Sequence, residues 1–251
     1  MDYKIQVLIL TYNEEVIMPY TLRHYATFAD RITVYDAFST DNTRNICRKY
    51  GANVVDWKTD GLNDMLAKHV KSTGWINDHR SDWVICVDAD ELIYFPKGIE
   101  YTLAEYEQQR VEVVKPHGFE MFSESLPSKD GQIYDEIKFG GRDDKWYAKP
   151  VLFSPRRISS IEFAAGAHTT KWIDINGSEH SNPTVPTEPP TYLLHYHHIG
   201  SLQRIADKYD ATRKRLSKIN EKNRHGNFDP GLKHAQDKRA LIFKTLHQVI
   251  E

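Results

Sequence analysis

The chain is poor in cysteine, in long apolar runs and in net charge. Its 251 residues include two cysteines, Cys47 and Cys86, whose spacing matches neither a zinc site nor a disulfide framework. A reducing, cytoplasmic setting is the expectation. No apolar run reaches the length that spans a bilayer. The N-terminus, with Lys4 inside a first strand, lacks the basic–apolar–small pattern of a signal peptide. A net charge of −2 gives no general reason to seek nucleic acid. Internal repeats and low-complexity tracts are also missing. Glycine is absent from the turn after the first strand, which reads Thr11-Tyr-Asn-Glu-Glu15. That turn is acidic where a nucleotidyltransferase acting on sugar phosphates usually carries a Gly-rich basic loop.

What is present is alternation. Apolar, β-branched runs at Ile5–Leu10, Arg31–Tyr35, Asn53–Trp57 and Trp83–Val87 predict four buried strands. Helices are expected from Asn13, as an N-cap, to about Phe28, then to about Tyr50, and from Asn63 to Trp75. The order β-α-β-α-β-α-β argues for an α/β fold with a mostly parallel central sheet flanked by helices. Such sheets bind ligands at the carboxyl ends of their strands, where Thr11–Glu15, Asp36–Asn42, Asp60–Asn63 and Asp88–Glu91 supply polar turns. The second half is less regular. Val111–Pro116 and Val151–Phe153 are expected strands, Gly131–Tyr147 a mobile loop and Ser178–Thr191 a proline-rich loop. From Ser201 the pattern is helical to about Asn223, broken at Gly226, Pro230 and Gly231, and helical again to the end. The expected organisation is a domain over 1–200, with a nucleotide-binding half (1–95) and an acceptor and metal half (96–200), followed by a helical extension over 201–251.

Val84–Val87 runs directly into Asp88-Ala-Asp90-Glu91. Like charges so close repel unless a cation joins them, and carboxylate oxygens suit Mg²⁺ or Mn²⁺ shared with substrate phosphates. The plainer reading has Asp90 and Glu91 stabilising a helix N-terminus, but Leu92-Ile-Tyr-Phe-Pro96 is a poor helix start.

Three strand-end motifs in order, Thr11-Tyr-Asn-Glu14, Asp36-Ala-Phe-Ser-Thr-Asp-Asn-Thr43 and Asp88-Ala-Asp90, resemble those of the family 2 glycosyltransferases, enzymes of the GT-A fold that use nucleotide-diphospho-sugars. The resemblance covers about residues 4–95. Beyond it, Lys149-Pro150, Gly166-Ala-His168 and the His195–His198 cluster resemble bacterial surface-polysaccharide members. Tyr35 stands where the family often has the first aspartate of a D-D-G-S turn, and that turn's glycine is absent.

The resemblance implies that Thr11, Tyr12, Asn13 and Glu14 lie beside the base and ribose, and that Asp36 accepts from the base, commonly the uracil imide. Ser39 and Asp41 become turn residues, although Ser39 could equally cap the next helix. Asp88 and Ala89 adjoin the ribose or metal, Asp90 binds the metal directly, and Glu91 supports them. Lys68 and Lys71 share a helix face; one approaches the diphosphate, or both are solvated. A further metal ligand is sought among His195, His197 and His198, with His168 as the rival. Strand alternation puts His195 and His197 on one face and His198 on the other.

The implied reaction moves a sugar, from a UDP-sugar by expectation and with inversion, to a hydroxyl of a glycan or lipid-linked acceptor, assisted by Mn²⁺ or Mg²⁺. Its general base is sought among Asp135, Glu136, Asp143 and Asp144. Asp143 and Asp144 are favoured, since nearby glycines and Lys145-Trp146 suggest a closing loop. Trp146, Tyr147 and Phe139 stack on a sugar or simply pack. A non-catalytic carbohydrate-binding relative is the remaining alternative. The last 51 residues carry 12 Lys+Arg against 6 Asp+Glu, and residues 1–200 carry 21 against 29. Arg204, Lys208, Arg213, Lys214, Arg215, Lys218 and Lys222 then face anionic lipid in peripheral membrane contact, or form the wet face of terminal helices.

Overall fold

The computed structural model describes residues 3–76, 80–128, 130–183 and 188–251. In chain order the first half runs β1 (Ile5–Thr11), α1 (Met18–Tyr25), β2 (Arg31–Asp36), α2 (Thr43–Lys49), β3 (Asn53–Asp56), α3 (Asp64–Thr73), β4 (Trp83–Asp88), β5 (Glu91–Tyr94) and α4 (Ile99–Gln108). The second half continues with β6 (Val113–Val114), β7 (His117–Ser123), α5 (Ile133–Glu136), β8 (Phe139–Arg142), β9 (Leu152–Phe153), β10 (Ile158–Phe163), β11 (Thr170–Asp174), β12 (Glu179–Ser181) and β13 (Tyr192–Ile199). Helices α6 (Leu202–Lys214), α7 (Lys218–Asn223) and α8 (Gly231–Lys244) follow, and then β14 (Leu246–Gln248).

The four alternating strands build the sheet that their apolar runs predict. Its order is β3-β2-β1-β4-β9-β6, with β1 to β4 mutually parallel and β9 antiparallel against β4. All seven residues of β1 are buried, as a central strand covered on both faces requires. Val7, Ile9, Val34 and Ile85 pack with Met18 and Leu22 of α1 in the main core. Because β1, β2 and β4 are parallel and adjacent, their carboxyl ends align and bring Thr11, Asp36 and Asp88 to one edge.

A second sheet, β14-β8-β7-β13-β5, abuts this edge. Strand β5 begins directly after the acidic turn and pairs antiparallel with β13, whose other neighbour, β7, is parallel. A third sheet, β10-β11-β12, lies apart in hydrogen bonding.

Several expectations change. Helix α1 starts at Met18, with Pro19 in its first turn, rather than at Asn13. Asn13 sits at φ 53°, and its side chain ties the first turn to the second by accepting from the Thr40 N–H at 2.7 Å. The expected loop 131–147 contains α5 and β8, because β8 is captured between β7 and β14. Gly141 is required there: a Cβ would lie 2.8 Å from the Ile242 carbonyl oxygen. The proline-rich loop includes β12, and its residues 184–187 lie outside the described residues. The last residues form a strand, not a helix, since β14 completes the second sheet. Among the described residues, no helix is long and apolar enough to cross a membrane.

Candidate active site

A cavity of about 330 Å³ opens at the carboxyl ends of β1, β2 and β4. Its walls come from four directions: Thr11, Tyr12 and Glu14 after β1; Gly61–Asp64 with Lys68 and Lys71 of α3; Asp88, Ala89 and Asp90 after β4; and Lys149, Gly166, His168, Thr212 and Arg215 from the second half. The first three walls therefore come from separate segments within residues 10–90, while the fourth comes from residues more than 50 positions later.

Asp88 is held by two ammonium groups, Lys71 at 2.8 Å and Lys149 at 3.2 Å. Lys149 also pairs with Glu91, which is 1% exposed and accepts the Asp88 N–H at 2.9 Å. Burial alone would raise the Asp88 pKa, but Lys71 and Lys149 override it and hold the carboxyl well below the usual range. Burial would likewise lower the Lys149 pKa, yet Glu91 and Asp88 push it up. The result is a network of two acids and two bases with every charge paired, in which Lys71, Lys149 and Glu91 are largely buried and Asp88 is partly exposed. It also explains why Asp-Ala-Asp-Glu is tolerated where the strand leaves the sheet.

Asp90 has a different set of neighbours. Its Oδ2 lies 3.2 Å from His197 Nδ1 and 3.2 Å from Lys208 Nζ, and its Oδ1 is 3.5 Å from His195 Nε2. Lys208 reaches Glu14 as well, at 2.8 Å. Burial opposes ionisation of Asp90, but Lys208 and His195 keep its pKa well below the ordinary value. Burial also works against charge on Lys208, and Glu14 and Asp90 outweigh it. His197 is driven down to about 3, first by burial and then by Lys208. It is therefore a neutral imidazole, and its Nε2 is buried without a partner among the described residues. One carboxylate and two imidazoles thus offer ligand atoms within 4.8 Å of one another. This mixed donor set suits a divalent transition-metal ion, with the carboxylate favouring Mn²⁺ and the imidazoles accepting softer ions as well. A second group within that distance, Glu112, Asp174 and His180, does not line the cavity.

The structure brings together only some of the residues singled out by sequence. Asp90, His195 and His197 converge as strand alternation requires. His198 points the other way, with Nε2 2.7 Å from the Tyr209 hydroxyl. His168 lines the cavity but packs edge-on against Trp146, with ring centroids 5.6 Å apart. Lys71 faces Asp88, whereas Lys68 lies 2.5 Å from Glu162. Thr11, Tyr12, Glu14 and Ala89 line the cavity, and Asn13 and Ser39 cross-link the first two turns, Ser39 Oγ accepting the Asn13 N–H at 2.8 Å. Asp36 is fully buried beneath them. Its Oδ2 accepts from the Ser39 N–H and from Arg44, while Oδ1 has no partner among the described residues.

The four acids proposed as bases serve the backbone. Asp135 belongs to a capping box with Gln132, and Glu136 accepts the Ser128 N–H. Asp143 Oδ1 accepts the N–H groups of Lys145 and Trp146, and Asp144 accepts the Gly118 N–H while pairing with Arg142. None of the four lines the cavity. Phe139 and Trp146 are half exposed, whereas the Tyr147 ring stacks on His195.

Four contributors were not assigned to the site from sequence. Lys149 was noted only within a dipeptide. Lys208 and Arg215 were read with the basic tail, yet Lys208 enters the acidic cluster and the Arg215 guanidinium lies 3.1 Å above the Tyr12 ring. Glu120 had one signal, a lone charge inside the apolar run of β7.

Parallel strands that end at a charged cavity define an α/β protein whose ligand site lies at the strand ends. The profile of the family described as glycosyl transferase family 2 matches residues 6–163. The chain belongs to that family, and its fold is the expected GT-A fold. This membership decides against the nucleotidyltransferase alternative. Among curated relatives, an uncharacterised glycosyltransferase of Rickettsia conorii is 28% identical over 82% of this chain and 66% of its own length. One of Rickettsia prowazekii is 27% identical over 82% and 64%. The chain therefore spans just under two thirds of these relatives. Among solved structures, TarS of S. aureus aligns with a TM-score of 0.48 and 15% identity over 94% of this chain and 42% of that one. Glucosyl-3-phosphoglycerate synthase of Mycobacterium tuberculosis, in complex with Mn²⁺, UDP-glucose and phosphoglyceric acid, aligns at 0.33 and 17% over 45% and 43%.

Proposed function

We propose that this protein transfers a sugar from a nucleotide-diphospho-sugar, with a UDP-sugar as the expected donor, to a hydroxyl of a glycan acceptor. The convergence of Asp90, His195 and His197 beside the Lys71–Asp88–Lys149 network carries the reading. A divalent cation held by Asp90, His195 and His197 would neutralise charge on the departing diphosphate. Lys71 and Lys149 hold fixed positive charge at the same rim, in a buried setting where it acts strongly on developing negative charge. Tyr12, with Arg215 stacked on it, forms an aromatic wall for the base. Asp36 is the residue expected to accept from a base N–H, and its Oδ1 has no partner among the described residues.

Proton removal from the acceptor falls to Asp143 in this reading. Its Oδ2 makes no hydrogen bond among the described residues, and it lies in the segment that carries Tyr147 against His195. Direct displacement with inversion, which needs such a base, is the expected course. Mn²⁺ with UDP is expected to raise the melting temperature, and Asp90→Ala to remove that rise. Ligand at 100 to 1,000 times its dissociation constant contributes about 2.7–4.1 kcal/mol. If no nucleoside diphosphate gives a metal-dependent shift, the proposal fails. Released nucleotide from a panel of UDP-, GDP- and CMP-sugars then identifies the donor.

A further inference from the structure

Glu120 does not line the cavity, yet it is a carboxylate buried to 1% exposure in the middle of β7. Both of its oxygens are engaged. Oε1 accepts the His198 backbone N–H at 3.1 Å, and Oε2 lies 2.5 Å from His195 Nδ1. The Tyr147 hydroxyl bonds to it as well. Strand register sets this arrangement: His195 stands opposite Glu120 on parallel β7 and opposite Glu91 on antiparallel β5. The other ring nitrogen of His195, Nε2, faces Asp90. Tyr147 covers one face of that ring and His197 stacks parallel to it, with interplanar angles of 26° and 15°.

We propose that Glu120 is the positioning residue for His195, accepting the Nδ1 proton so that Nε2 is presented as a metal ligand beside Asp90 and His197. This rests on the reading of those three residues as the metal site. An imidazole that ligates through one nitrogen carries its proton on the other, and a carboxylate accepting that proton sets tautomer, orientation and basicity. Capping the His198 N–H does not require a charged group, since a neutral amide oxygen would serve. Among the described residues, the one basic side chain within salt-bridge distance of Glu120 is His195. A buried carboxylate whose one basic neighbour is a candidate ligand is accounted for by action through that ligand.

The test is Mn²⁺ binding to the full chain without donor, read from the paramagnetic resonance of free Mn²⁺. Wild type, Glu120→Gln, His195→Ala and the double variant are compared. Glu120→Gln is expected to weaken Mn²⁺ by about 10- to 100-fold, and to have no further effect once His195 is replaced. Equal affinity in wild type and Glu120→Gln overturns the proposal, as does an equal loss with and without His195, which would mark a merely structural role. If wild type binds no Mn²⁺, the metal reading itself falls. Nitrogen-15 spectra of the histidines in wild type loaded with diamagnetic Zn²⁺ give a check that needs no variant. His195 should keep its proton on Nδ1 and lose it from Nε2, and a metal on Nδ1 refutes the assignment.

Discussion

Removing one ammonium from the Asp88 network is the sharpest perturbation of the rim. In Lys149→Met the chain keeps similar length and apolar bulk, but Glu91 loses its cation while remaining 1% exposed. Asp88 retains Lys71 at 2.8 Å, so the uncompensated charge falls on Glu91. Breaking a buried pair from one side costs about 3–5 kcal/mol. For a chain of this size, 1 kcal/mol moves the melting temperature by roughly 2–4 °C, so a fall of about 6–20 °C is expected near pH 7. The folded-state pKa of Asp88 is depressed, so its stabilisation is fully present above the ordinary carboxylate range and is lost only as pH falls below that range toward the folded value. The double variant Lys149→Met/Glu91→Gln should recover most of the loss. Thermal denaturation between pH 5 and 8 reads all three, and a single variant within about 2 °C of wild type throughout would refute the paired-network account.

Two other consequences concern parts of the fold that hold the site in place. His24 is buried, its ring 2.9 Å from the Ile93 carbonyl oxygen, and burial lowers its pKa to about 4. A base whose folded pKa is depressed binds fewer protons folded than unfolded between about 4 and the unfolded value near 6.5. Its neutral burial therefore contributes stability above that window, lost as pH falls through it. The NMR titration of His24 should show a neutral ring at pH 6, and a protonated one there would contradict its buried, neutral state. Gly61 sits at φ +107°, and a Cβ there would lie 2.2 Å from the Arg215 carbonyl oxygen. Gly61→Ala should cost about 1–3 kcal/mol from backbone strain alone. It should also loosen the 215–217 segment, which is stitched to the same turn through Leu62. Unchanged stability together with unchanged protease resistance near residue 215 would remove that turn's role as a clamp.

Much of the first half was legible because its signals are local. Four apolar runs with polar turns after them imply parallel strands and a shared rim, and the rim is where Thr11, Asp36 and Asp88 are found. The separation of His195 and His197 from His198 also followed from strand periodicity alone. Asn13 was misread because its polar side chain suits both a helix cap and a left-handed turn. Only the contact with Thr40, 27 residues away, selects the turn. Which of Asp135, Glu136, Asp143 and Asp144 keeps an oxygen for chemistry was not legible, because a sequence shows carboxylates but not the N–H groups that they accept; Asp143 accepts two through Oδ1 alone.

The sequence by itself determined the order of strands and helices as far as β4, the acidic turn at Asp88–Glu91 and the family, since each depends on neighbours within a few residues or on motifs in fixed order. Tertiary structure decided which cation meets which acid. Lys149 meets Glu91 across 58 positions and Lys208 meets Asp90 across 118. The physical reason is that charge pairing in a buried site is set by distance through space, and desolvation makes each such pairing obligatory. The basic tail showed this most plainly: its charge was visible in the composition, but only the packing of α6 against the rim separates Lys208 and Arg215, which enter the site, from the rest of the tail's cations.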